Sequence, residues 1–331
     1  MKKLKINEIL KQSVDSVKRH EINQGGYCRF LWQNEYGNRQ MGLNAYGCAD
    51  ASNILYTLGA LPSSAEARAA FIHNLQQLQN PKTGMFYEPS HHTVHTTAHC
   101  VAALELFDAR PLYPLYELEQ YRDINLFFEQ LEKDDWLHRG RKAHEGAGLF
   151  AAMVNTESVD DAWVNKYFEW YDKMCDSKSG MWVRQPTVDF PVHIQMGDTF
   201  HYLFNYDYMK RPFPYPEKLI DSCIEMYKNG SLPKNFGKQF HFIEMDWVYC
   251  LNRSSRQTPH RFAEVKKVLS EFAEAYVEYL QNVDFETDDG ANDLHLLFGV
   301  LCCLAELQLA LPGKIVSSKP LRLVLDRRPF I

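Results

Sequence analysis

Two kinds of segment alternate along the chain. One is almost continuously apolar and opens on a polar residue. It recurs as N-A-Y-G-C-A-D-A-S-N-I-L-Y-T-L-G-A-L-P, V-H-T-T-A-H-C-V-A-A-L-E-L-F-D-A-R-P, A-H-E-G-A-G-L-F-A-A-M-V, M-G-D-T-F-H-Y-L-F-N-Y-D-Y, E-M-D-W-V-Y-C-L-N-R and N-D-L-H-L-L-F-G-V-L-C-C-L-A-E-L. The other, such as R-F-A-E-V-K-K-V-L-S-E-F-A-E-A-Y-V-E-Y-L, carries apolar residues at helical spacing opposite a charged face. Tyr46, His95 and His144 are spaced by 49, as are Asp246 and His295, and Asp198 falls 48 before Asp246. A repeat of this length across 331 residues predicts six units, each a pair of helices, one apolar and one amphipathic.

Strand signals are weak: G-M-F-Y and G-M-W-V fall in connecting stretches. The pattern therefore predicts an all-α fold, an α/α toroid of six helical hairpins, or (α/α)6 barrel, as a single domain over residues 1–331. An open superhelical array would leave the apolar helices exposed, so closure is expected. In N-P-K-T-G-M-F and D-S-K-S-G-M-W, Gly84 and Gly180 are expected at positive φ in chain reversals between outer and inner helices.

Composition narrows the class. A net charge of -6 argues against general nucleic-acid binding, which needs a basic footprint. The basic start lacks a continuous apolar region, so no secretory signal is read. Leu294 to Leu311, the most apolar window, contains His295, Glu306 and Gln308, and no membrane span is expected. The eight cysteines form no CxxC pair and read as reduced core thiols of a cytoplasmic protein.

At motif level the chain resembles the superfamily of terpenoid cyclases and protein prenyltransferase β subunits, which are α/α toroids. L-Q-Q-L-Q-N-P-K-T-G-M-F is similar to the L-Q-x-P-x-G-G-F element of their repeats. N-D-L-H-L-L-F-G-V-L-C-C-L resembles the prenyltransferase helix D-x-x-H-x-L-F-G-x-x-x-L, and E-M-D-W-V-Y-C resembles D-x-C-Y. The resemblance implies that Asp246 and His295 match two zinc ligands and Tyr249 the motif tyrosine. Val248 stands at the ligand cysteine, and Cys250 is at another angle of the helix. Asp289 or Asp293 would have to supply a third ligand. Zinc is disfavoured on that ground, and no metal or cofactor is expected. The cyclase D-x-D-D is also lacking: E-S-V-D-D and E-T-D-D miss the first aspartate, and D-D-G-A-N-D departs from D-D-x-x-D. The toroid pattern covers most of the chain, and the motif match its last third.

In such a toroid the first turns of the inner helices face the cavity. Those positions carry Asn44, Asp50, His95, His99, His144, Glu145, Asp198, His201, Glu244, Asp246, Asp293 and His295. His95 and His99 share a helical face, and Asp198 and His201 are neighbours at i, i+3. Asp198 and Asp293 are plausible caps, but capping does not call for histidine, and histidine beside carboxylate suits proton transfer. The candidate catalytic residues are thus Asp246, His295, Asp198, His201, His95, His99, His144 and Glu145. H-H-T-V-H-T-T-A-H lacks the glutamate of H-E-x-x-H and reads as a loop entering a helix rather than a metal site. Arg139, Arg141 and Lys142, in H-R-G-R-K, are candidates to hold a phosphate, diphosphate or uronate. Trp247, Tyr249 and Tyr202 are candidate substrate contacts, for a carbocation or a sugar ring.

Three readings follow. The first is an enzyme of the terpenoid-toroid type acting on an isoprenoid-like or diphosphate-bearing small molecule by His/Asp chemistry. The second is a carbohydrate-active toroid: a hydrolase, lyase or epimerase. The third is a non-catalytic toroid that binds a ligand or partner.

Overall fold

The computed structural model describes residues 3–137, 142–182, 190–327 and 330. The chain is 58% helix and 4% strand, an all-α protein. Its helices are α1 (Asn7–Arg19), α2 (Ala45–Thr57), α3 (Ala65–Gln76), α4 (Thr93–Glu105), α5 (Ile124–Lys133), α6 (Ala143–Asn155), α7 (Asp161–Met174), α8 (Val192–Tyr208), α9 (Pro216–Asn229), α10 (Phe242–Ser255), α11 (Phe262–Asn282), α12 (Leu294–Ala310) and the short α13 (Val324–Arg327). Four strands of two or three residues were not anticipated. Leu4–Lys5 pairs in parallel with Ile315–Val316, and Glu21–Asn23 forms a hairpin with Gly26–Tyr27.

The two predicted kinds of helix are both present. The even-numbered helices α2 to α12 are buried nearly all round, as their unbroken apolar segments require. On the amphipathic α11, by contrast, the buried residues are Val265, Val268, Leu269, Phe272, Ala273, Tyr276, Val277 and Leu280, spaced three or four apart. Burying each large apolar side chain of that stripe contributes about 1.5–3 kcal/mol. Packing runs from α2 to α4, α4 to α6, α6 to α8, α8 to α10 and α10 to α12, and α12 packs against α2 again. All eight cysteines are buried, and none is in a disulfide. Among the described residues no helix is long and apolar enough to cross a membrane.

The two glycine turns are built alike. In the first, Asn80 Oδ1 accepts from the amide of Lys82, the Gly84 amide donates to the Asn80 carbonyl at 2.8 Å, and the Asn80 amide donates to the Met85 carbonyl at 2.9 Å. Asp176, Lys178, Gly180 and Met181 repeat this arrangement, again with 2.8 Å from Gly180 to Asp176. The two glycines have φ of 75° and 74°, in the left-handed region expected.

Far from the first turns of the even-numbered helices, a second polar knot fastens α8, α10, α12 and α13. Buried Arg253 pairs with Glu306, Asp207 and Asp326, while Asn252 donates to Glu306 at 2.7 Å and Tyr249 to Asp207 at 2.9 Å. Removing one partner from such a buried pair costs about 3–5 kcal/mol, because it strands the other charge.

Gly84 gives a direct test of the turn. A Cβ there would sit 1.8 Å from the Pro114 carbonyl oxygen, and the left-handed backbone alone costs a non-glycine residue about 1–3 kcal/mol. We expect Gly84→Ala to lower the unfolding free energy by at least that much in urea titrations. Unchanged stability would contradict the described turn.

Candidate functional site

The first turns of α4, α6, α8, α10 and α12 converge on a cavity of about 250 Å³. Its wall includes His95, His144, Asp198, His201, Asp246 and His295, six of the eight candidate catalytic residues. The loops before the helices add Arg29, His91 and His241, α8 adds His193, and Ile194, Phe242, Ile243 and Leu296 supply the apolar part.

Arg29 arrives on a loop that lies against α2. A Cβ at Gly47 would meet the carbonyl carbon of Cys28 at 2.4 Å, so only glycine lets that backbone pass. The buried guanidinium then donates to both carboxylate oxygens of Asp293 at 2.7 Å, to Ser90 at 2.8 Å, and pairs with Glu88 at 3.2 Å. Burial alone would lower its pKa; Asp293 and Glu88 outweigh burial and raise it. Asp293 also caps α12 by accepting from the His295 amide at 2.9 Å, as its position predicted.

Behind the cavity wall lies Asp50, fully buried on α2. Its Oδ1 is 2.8 Å from His99 Nε2 and 3.0 Å from His295 Nδ1. Burial pushes this carboxyl up, but the charges that His295 and His99 can carry, with their hydrogen bonds, hold it well below the usual range. Asp50 Oδ2 has no hydrogen-bond partner. Tyr46, also fully buried, stacks on His91 with centroids 4.4 Å apart, and its hydroxyl lies 2.6 Å from His95 Nδ1. His91 is held by Glu88 at 3.1 Å, and burial brings its pKa down to about 4. Burial likewise takes His201 down to about 4, against the support of the Gly197 carbonyl, to which its Nδ1 lies at 2.7 Å.

Asp246 is the opposite case. It is 7% exposed, its Oδ1 lacks a hydrogen-bond partner, and burial, then Glu244 and Asp198, raise its pKa well above the normal carboxylate range. These surroundings favour the neutral carboxyl, the form that can donate a proton.

Several predicted residues stand elsewhere. His99 is behind the wall on Asp50, and Glu145 pairs with Lys142 at 2.6 Å rather than lining the cavity. Lys142 is held by Glu145 and by Asp134 at 3.2 Å. Arg139 and Arg141 lie outside the described residues. Trp247 lies about 100° round the helix from Asp246; its indole donates to the Cys223 carbonyl and packs on Tyr227 and Phe236. Tyr249 is a turn deeper, bound to Asp207, and Tyr202 is packed among Tyr171, Trp182 and Trp136. These three aromatic residues serve the core. Asn44 caps α2.

Histidine does act as a cap in this chain: His92 and His241 accept from the amides of Val94 and Ile243 at 3.3 and 3.1 Å. Capping therefore can call for histidine, contrary to the expectation from sequence. His241 is thus both a cap and a wall residue, whereas none of His95, His144, His201 or His295 occupies a cap position. Sequence reasoning did not single out Arg29, His193 or His241 as wall residues. Their only local signal was a charged or aromatic residue close before, or at the start of, a polar helix entry.

Two groups of three potential metal ligands occur among the described residues, each with ligand atoms within 4.8 Å of one another: His95, His144 and His201, and Asp50, His99 and His295. Neither contains Asp246, so the ligand pair implied by the prenyltransferase motif is not drawn into one group. No family model matches the chain, and no curated protein or solved structure matches it.

Glu244 yields a pH prediction. It is fully buried; Oε1 accepts from the amide of Gly237 at 2.9 Å and from Gln239 at 3.1 Å, and Oε2 has no partner. Burial raises its pKa to about 7, with those hydrogen bonds opposing. The folded state therefore holds a proton that the unfolded chain releases near pH 4.3. The resulting stability is complete below that value and is lost as pH rises through about 7. At about 1.4 kcal/mol per pKa unit, Glu244→Gln should gain up to about 3 kcal/mol on the wild type between pH 5 and pH 8 in urea unfolding. A difference that stays flat across that range would refute the assignment.

Proposed function

We propose that the protein is an enzyme of the α/α-toroid type, whose cavity carries out His/Asp acid–base chemistry on a small polar molecule. The closed order of contacts from α2 to α12 and back supports six inner helices of a toroid, and the amphipathic helices between them would form the outer layer. The observation that carries the catalytic reading is the pairing of two unlike groups on one wall. Asp246 is a buried acid with an unpartnered oxygen, and His295 is an imidazole oriented by a carboxylate.

The roles follow from those surroundings. With Nδ1–H donating to Asp50, His295 keeps Nε2 as the nitrogen left for a substrate proton, and Asp50 stabilises the imidazolium that forms. Asp246 gives its proton to an oxygen that leaves or gains charge, and Asp198 stands beside it to stabilise positive charge. Hydrolysis, elimination and epimerisation all use such a pair.

Substrate size and polarity favour the carbohydrate reading over the isoprenoid one. The cavity, about 250 Å³, lies below the roughly 300–1,000 Å³ usual for drug-sized ligands. A single sugar or sugar acid suits it better than a long prenyl chain. Arg29, the cation on this wall, is already neutralised by Asp293 and Glu88, which leaves it little for a diphosphate. The isoprenoid reading keeps the motif resemblance and the apolar side formed by Phe242, Ile243 and Leu296.

Thermal unfolding against two panels separates the readings. One panel holds monosaccharides and uronates, the other isoprenoid alcohols and diphosphates. At a hundred times its dissociation constant a ligand adds about 2.7 kcal/mol, a shift of several degrees. We expect shifts from the first panel. With the responding compound as substrate, His295→Ala and Asp246→Asn should each lower kcat by about 10²–10⁴-fold while the fold persists. Shifts from the second panel alone would transfer the site to isoprenoids. Silence from both panels, or full turnover by His295→Ala, would end the catalytic reading.

A further inference from the structure

We infer that His95, His144 and His201 form a binding site for one divalent transition-metal ion, of the class that imidazole prefers, such as Zn²⁺. The inference goes beyond the acid–base reading and does not rest on any substrate.

Three inner helices each contribute one imidazole. The ring centroids lie 4.4 Å apart for His95 and His144, 4.8 Å for His144 and His201, and 5.5 Å for His95 and His201. Adjacent rings stack when their planes are parallel; these planes are inclined by 52°, 48° and 57°. Inclined rings at this distance let nitrogens converge on a point. One ligand nitrogen from each lies within 4.8 Å of the other two, and bonds of about 2.0–2.1 Å to zinc would draw them closer by side-chain rotation.

Two of the rings are oriented from behind, as ligating histidines require. His201 Nδ1 lies 2.7 Å from the Gly197 carbonyl, so it carries the proton and leaves Nε2 as the ligand. His95 Nδ1 lies 2.6 Å from the hydroxyl of Tyr46, which can accept its proton in the same way. No carboxylate belongs to this group.

The second group, Asp50, His99 and His295, is built differently. Both imidazoles already meet the same oxygen, Asp50 Oδ1, at hydrogen-bond distance, and His99 is absent from the cavity wall. It is a proton-bridged array that orients His295. The three-histidine group opens on the cavity instead, so an ion there would have three protein ligands and a position facing substrate, the pattern of catalytic rather than structural zinc. Asp246 and Asp198 share that cavity and would favour a cation in it.

The sequence concealed this site because its ligands are 49 and 57 residues apart on three helices. Neither a C-x-x-C nor an H-E-x-x-H spacing announces it.

The test uses the full chain and Zn²⁺ alone. Protein loaded with Zn²⁺ and passed through metal-free buffer should retain one ion per chain by elemental analysis. X-ray absorption at the zinc edge should show three imidazoles, and Co²⁺ in its place should give the visible absorption of a tetrahedral site. His144→Ala and His201→Ala should each weaken Zn²⁺ at least about 100-fold in chelator competition. His260→Ala, whose imidazole pairs with Asp221 in the outer layer, should leave affinity unchanged. Folded wild-type protein that loses all zinc to metal-free buffer would overturn the proposal. So would a zinc shell of two imidazoles and a carboxylate, which would assign the ion to Asp50, His99 and His295. The absorption result on wild type decides the matter even if the alanine variants do not fold. Either outcome leaves the sugar panel to judge the acid–base reading separately.

Discussion

One carboxylate oxygen, Asp50 Oδ1, joins the first of the apolar helices to the second and to the last: α2 to His99 on α4 and to His295 on α12. The chain's opening and closing units therefore meet through a buried charge. A charge removed from water is tolerable only when it is compensated within hydrogen-bond reach, and breaking such a pair costs several kcal/mol, whereas exposed ion pairs are worth about 0–1 kcal/mol. The same demand explains the neighbouring pairing of Arg29 with Asp293 and Glu88, which pins the loop before α2 to the start of α12. Arg253, Glu306, Asp207 and Asp326 do the equivalent work deeper along α8, α10 and α12. Two polar knots thus fix helices whose bodies meet mainly through apolar contact. The positions of cavity side chains follow from the first knot.

Much of this was legible in the chain. The recurrence at about fifty residues marks the six apolar helices because each must be buried all round, and nothing but helix pairs meets that need at this length. Asn80 and Asp176, each four residues before a glycine, encode the same turn twice. Polar residues opening apolar helices marked six of the cavity residues. Other features were not legible. Arg29 lies in a loop without periodicity, and its place depends on Gly47 letting one backbone cross another. Trp247 and Tyr249 are close in sequence to Asp246, yet angle and depth along α10 put them in the core. Lys142 looked like a free cation until Glu145 and Asp134 were brought beside it.

The cavity groups differ in how well they are compensated, and that difference separates architecture from chemistry. Asp50, Asp293, Glu88 and Arg29 each have a partner of opposite or complementary charge, although Asp50 Oδ2 is itself without a hydrogen bond. Asp246 has an oxygen with none and two acidic neighbours, Glu244 and Asp198. An unsatisfied buried polar group costs about 1–3 kcal/mol, and proteins keep such groups chiefly where function needs them.

Equilibrium urea unfolding of Asp246→Leu beside the wild type measures whether Asp246 is kept at the expense of stability. The cavity next to Asp246 has room for the larger side chain. The variant should be more stable by about 1–3 kcal/mol, as an unsatisfied polar atom gives way to apolar contact. A variant less stable than the wild type would show instead that Asp246 holds the fold together.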